Sequence, residues 1–95
     1  VNEPLPPPVL RHLLARNLRR ERSRAGFAQE AFALHVGLSR TYMSAIETAK
    51  KSVTLDTLER LAAGLDMPAW RLLFDEEVVG EEPQSDPPRQ GVRRR

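Results

Sequence analysis

The chain contains no cysteine, which removes disulfides, thiolate zinc sites and cysteine nucleophiles from consideration. Its only histidines are His12 and His35, and neither has an evident nucleophile or metal partner in the surrounding pattern. No glycine-rich phosphate loop and no zinc-type ligand spacing occurs. Catalysis is therefore not expected, and nothing implies a cofactor, a metal or a small-molecule substrate. Long apolar runs are missing as well: none approaches the roughly 18–20 residues that span a bilayer, and no basic segment leads into an apolar one. The expectation is a soluble, cytoplasmic protein with no membrane partner. Ninety-five residues suffice for one small domain but not for two. A core that small is marginal, and association between copies would help it.

What is present is charge, unevenly placed. The overall net charge is only +2, yet residues 9–74 carry eleven Lys/Arg against six Asp/Glu. Residues 75–88 then hold six acids and no base, and residues 89–95 add four arginines. A basic domain followed by an acidic stretch suits a protein that meets a polyanion. Both flanks read as irregular. Residues 1–8 include four prolines, which favour extended geometry over packing. Residues 80–95 are rich in Pro, Gly and charge, with little to bury. The division expected is a disordered arm over 1–8, a folded domain over 9–79 and a disordered charged tail over 80–95.

Inside the folded stretch the apolar period is helical. Leu10, Leu14 and Leu18 recur four apart with Leu13 beside them, which predicts a first helix over 9–24. Gly26 is a natural stop. Phe32, Ala33 and Val36 make one stripe on a second helix over 29–36, and Gly37 stands where a tight turn needs positive φ. Ser39 is a good N-cap for a third helix over 40–48 with Met43 and Ile46 inward. Thr54 caps a fourth over 55–64, with Leu55, Leu58, Leu61, Ala62 and Leu65 inward. Pro68 suits the first turn of a fifth over 69–74. The fold class expected is all-α, a five-helix bundle whose second and third helices form a helix-turn-helix.

The run Gln29-Glu30-Ala31-Phe32-Ala33, then Val36-Gly37-Leu38-Ser39-Arg40-Thr41-Tyr42, then Ser44 and Ile46-Glu47, resembles the Xre or phage-repressor (Cro/repressor-like) helix-turn-helix family. Thr54-Leu55, Leu58 and Leu61-Ala62 match that family's fourth helix. The likeness covers residues 14–73, and in pattern it is most similar to the controller proteins of restriction–modification systems. It implies a regulator that reads double-stranded DNA with its third helix in the major groove, as a homodimer on palindromic half-sites with centres roughly 34 Å apart.

The residues support that expectation on physical grounds. With Met43 and Ile46 inward, Arg40, Thr41, Ser44 and Ala45 lie on the remaining arc and are the expected base contacts. Arg40 could pair bidentately with guanine O6 and N7, and Thr41 and Ser44 can donate or accept. The plain alternative for Arg40 is a solvated surface arginine. Backbone contacts are expected from Gln29, Ser39, Tyr42, Lys50, Lys51 and Ser52. Tyr42 has two readings, a ring packed on the bundle or a hydroxyl reaching DNA. The resemblance implies a structural salt bridge between Arg22 and Glu47, since a carboxylate facing phosphates would oppose binding. Arg19, Arg20 and Arg24 read mainly as a solvated face.

Three positions depart from the family pattern. Ala28 stands where an N-cap Ser or Thr is usual, Glu21 where an aliphatic residue is common, and Ala49 where glycine is frequent. A differently shaped loop is expected at Ala49. Trp70, Leu73 and Phe74 are the expected dimer interface, because a terminal helix cannot leave that much apolar surface bare. A monomer that folds this segment over its own bundle is the alternative. An antitoxin or protein-interaction adaptor using the same domain is the competing function.

Overall fold

The computed structural model describes residues 9–75. Four α-helices follow in order: α1 Val9–Arg24, α2 Gln29–Val36, α3 Arg40–Glu47 and α4 Leu55–Gly64. A 3-10 helix, Ala69–Leu73, ends the sequence of elements, and no strand occurs among the described residues. The expectations for residues 1–8 and 76–95 lie outside the described residues.

The five-helix count needs correction, because the last element is not an α-helix. Its backbone closes through Arg71 N–H to Pro68 O at 3.1 Å and Phe74 N–H to Arg71 O at 3.3 Å, both i to i+3 bonds. The amide of Asn17 holds its C-terminal end. Nδ2 donates to Leu72 O at 2.9 Å and to Phe74 O at 3.0 Å, which holds two carbonyls against α1. Asn17 itself is fully buried.

Leu14, Leu18, Phe32, Met43, Ile46, Leu58, Leu61 and Leu72 fill the core. α1 packs on α3 and on the 3-10 helix, while α2 packs on α3 and α4. Gly37 closes α2 with φ 77°, and Leu38 N–H reaches back to Ala33 O at 2.9 Å. This turn swings α3 across α2. Gly64 is small for another reason: a Cβ there would lie 2.4 Å from Val36 Cγ1. The α2–α4 contact has no room for a methyl group.

Two apolar positions are not where their periodicity put them. Leu10 is 58% exposed and Leu55 is 78% exposed. Each sits in the first turn of its helix, beyond the reach of the opposing core. Both line an apolar groove of about 490 Å³, together with Val9, Val53, Leu58 and Leu73.

Candidate nucleic-acid interface

Ser39 sets the root of α3. Its backbone is extended and its Oγ accepts a hydrogen bond from Tyr42 N–H at 3.0 Å, so the hydroxyl works as an N-cap. From that start Met43 and Ile46 turn fully inward. Arg40 and Thr41 are exposed on the opposite arc, and Ser44 and Ala45 are half-buried beside them. The four positions thus share one open face.

That orientation is held from below by Glu47. Its carboxylate is buried and accepts from Arg22 Nε at 2.6 Å, Arg22 Nη2 at 3.0 Å and Gln29 Nε2 at 3.0 Å. Arg22 Nη1 also donates to Phe27 O at 2.7 Å. One ion pair therefore ties α1, the loop before α2 and the last turn of α3. Arg19 adds a hydrogen bond to the Glu47 carbonyl, where a cation complements the C-terminal end of a helix. Arg19 is thus more than a solvated side chain, whereas Arg20 and Arg24 both pair with Glu21. That pairing accommodates the acid where an aliphatic residue was expected.

Gln29 is placed differently from expectation. Its amide is half-buried and directed at Glu47 rather than standing free at the surface. The start of α2 is otherwise open: Ala28 supplies no side-chain cap.

The loop after α3 folds back on the helix it leaves. Lys50 N–H and Lys51 N–H both reach Ala45 O, at 2.9 and 3.3 Å, and Lys50, Lys51 and Ser52 are exposed. For Tyr42 the structure gives the first of its two readings, the packed ring. The ring is half-buried against the core, and the hydroxyl donates to Ser52 O at 3.4 Å. The side chain so props the loop beside the open face of α3. Ala49 takes a left-handed backbone, with φ 63°. A Cβ in that region crowds the neighbouring carbonyl, at a cost of about 1–2 kcal/mol.

The histidines form no shared site. His12 is exposed on α1, and His35 stacks on Phe27 with ring centroids 4.9 Å apart. Of the expected apolar interface, Leu73 is half-buried on the groove wall. Trp70 is 59% exposed and meets Phe74 edge-on at 5.5 Å.

Three contributors escaped the sequence reading. Asn17 carried a signal, since it is a polar residue inside the Leu14–Leu18 stripe. Arg19 carried a weaker one, three residues before Arg22 and so on the same helix face. Glu30 carried none: it comes within 3.7 Å of Arg40 (Oε1 to Nη1) only because the turn at Gly37 folds α3 over α2.

A capped, outward-facing third helix set across a second by a glycine turn defines a helix-turn-helix domain of the DNA-binding type. The family described as "Helix-turn-helix domain" matches residues 13–72, and the chain belongs to that family. It is similar to a hypothetical transcription factor of Neisseria meningitidis, 42% identical over 65 residues that cover 68% of this chain and 61% of that protein. The crystal structure of the Neisseria factor superposes with a TM-score of 0.70 at 37% identity, covering 82% of this chain and 91% of that one. Control protein C.MunI from Mycoplasma sp is 40% identical over 63% of this chain and 78% of its own. The restriction-modification controller protein C.Esp1396I, solved as a tetramer in complex with its natural 35 base-pair operator, matches at 27% identity. Its TM-score is 0.64, covering 70% of this chain and 87% of that one. Among the described residues no helix is long and apolar enough to cross a membrane.

The strained turn yields a prediction. Ala49→Gly should raise stability by about 0.5–1 kcal/mol, because relief of the left-handed strain exceeds the entropy glycine adds to the unfolded chain. Urea unfolding checks it. An unchanged or lowered midpoint would show that the turn is not held in this conformation in solution.

Proposed function

We propose that the protein is a transcriptional regulator that binds specific double-stranded DNA as a homodimer, in the cytoplasm, with α3 in the major groove. The observation that carries this reading is the two-sided character of α3. Met43, Ile46 and Glu47 are buried, while Arg40 and Thr41 are exposed from the same two turns.

In this reading Arg40, Thr41, Ser44 and Ala45 meet base edges. Arg40 suits guanine, and the Thr41 methyl and Ala45 suit the thymine methyl. Ser39, Tyr42, Lys50, Lys51 and Ser52 border them and hold the phosphate backbone, which fixes register without reading sequence. Gln29 has one amide hydrogen on Glu47; its second, with the uncapped N–H groups of the first turn of α2, faces a phosphate. No step calls for a catalytic group or a cofactor.

The dimer forms across the apolar groove. Val9, Leu10 and Leu55 are too exposed for an isolated domain, and Leu73 supplies part of the wall they share. Trp70, on the 3-10 helix that carries Leu73, and Phe74 just after it add further apolar surface to the interface. Ser52 and Thr54 also line the groove, so it begins where the backbone-gripping loop ends. Pairing two copies there would give the duplex two third helices to meet, one for each half-site. The operator-bound tetramer of C.Esp1396I supports assembly of this general kind.

Three results are expected. Arg40→Ala should lose about 1–3 kcal/mol of discrimination between a selected duplex and a random one. Lys50→Ala should weaken both alike and lower the salt slope by about 0.9. Anisotropy titrations of both variants at several salt concentrations test this division, and equal losses on both duplexes from Arg40→Ala would refute it. Leu55→Glu should give folded monomers that bind the selected duplex poorly. Sedimentation velocity showing an intact Leu55→Glu dimer would remove the groove as the interface.

A further inference from the structure

Glu30 and Arg40 form an exposed ion pair between α2 and α3. Glu30 is the second residue of α2 and Arg40 the first of α3. Their Oε1–Nη1 separation is 3.7 Å, with side chains 76% and 68% exposed. Surface pairs of this kind contribute little to folding. A carboxylate on this face also opposes a polyanionic partner. Its placement therefore calls for another account.

Geometry supplies one. The guanidinium is a rigid planar fork with five donors. A carboxylate on the Nη1 side, at ion-pair rather than hydrogen-bond distance, leaves the Nε–Nη2 edge open, and two parallel donors on that edge match guanine O6 and N7. Glu30 and Arg40 also line one small cleft with Ala33, Leu34 and Leu38, so their aliphatic stems have apolar surface to lie on. The root of Arg40 is fixed as well, by the Ser39 cap. A long side chain oriented before binding loses less freedom when it docks.

We propose that Glu30 is a positioning residue that sets the base preference of Arg40, resting on the reading of Arg40 as a base contact. It exchanges some overall affinity for DNA against sharper discrimination at one base pair.

The test is a double-mutant cycle of wild type, Glu30→Gln, Arg40→Ala and the double variant. Each is titrated by anisotropy against three duplexes. One is selected from a random pool by the wild-type chain, one differs from it at the base pair where Arg40→Ala loses discrimination, and one is random. Glu30→Gln should bind the random duplex about 2–5-fold tighter, through loss of one negative charge near the phosphates. It should lower discrimination at the Arg40 base pair by about 3–10-fold, as orientation is lost. In the Arg40→Ala background it should leave discrimination unchanged. Equal tightening on all three duplexes would reduce Glu30 to a repulsive charge. Lost discrimination that persists without Arg40 would mean that Glu30 contacts a base itself. Either outcome overturns the proposal while sparing the function beneath it. A wild-type chain that selects no sequence from the pool overturns both.

Discussion

The buried carboxylate of Glu47 is the constraint on which the interface depends. A charge removed from water is costly unless its lone pairs are filled, and here two donors from Arg22 and one from Gln29 fill them. The arrangement fixes the rotation of α3 about its own axis. Glu47 cannot leave its partners without exposing Arg22 to an unpaired burial, so Met43 and Ile46 stay inward and Arg40 and Thr41 stay out. Hydrophobic contact alone would tolerate some rolling of so short a helix. The directional hydrogen bonds of the ion pair do not.

Around that anchor, smaller devices shape the surface. Ser39 fixes where the helix begins, and Tyr42 connects it to the loop carrying Lys50 and Lys51. Ala49 accepts a left-handed backbone so that this loop can fold back on Ala45 O. Asn17 ties the 3-10 helix to α1 beside Leu72, which lies in the core. Leu73, its neighbour, lines the groove.

Much of this was legible in the residues, for definable reasons. Periodic leucines, Gly37 at the turn and the Ser39 and Thr54 caps are local signals, and α1, α2 and α4 have the bounds those signals predict. Periodicity misled at Leu10 and Leu55, because it reports which side of a helix is apolar and not whether another element covers its first turn. The final segment was read as a helix over 69–74, and its tie to α1 through Asn17, 55 residues away from Leu72, is a tertiary contact. The inward turn of Gln29 and the Glu30–Arg40 pair are likewise products of tertiary placement. Sequence spacing between residues on different helices carries no distance.

The sharpest test of the anchor is urea unfolding of Glu47→Ala beside an apolar double replacement, Arg22→Met with Glu47→Leu. Removing the carboxylate alone leaves Arg22 without its partner, and a loss of about 3–5 kcal/mol is expected, whereas the double replacement should recover most of it. A loss under about 1 kcal/mol in Glu47→Ala would contradict the account, since a pair so weakly coupled could not fix the rotation of α3.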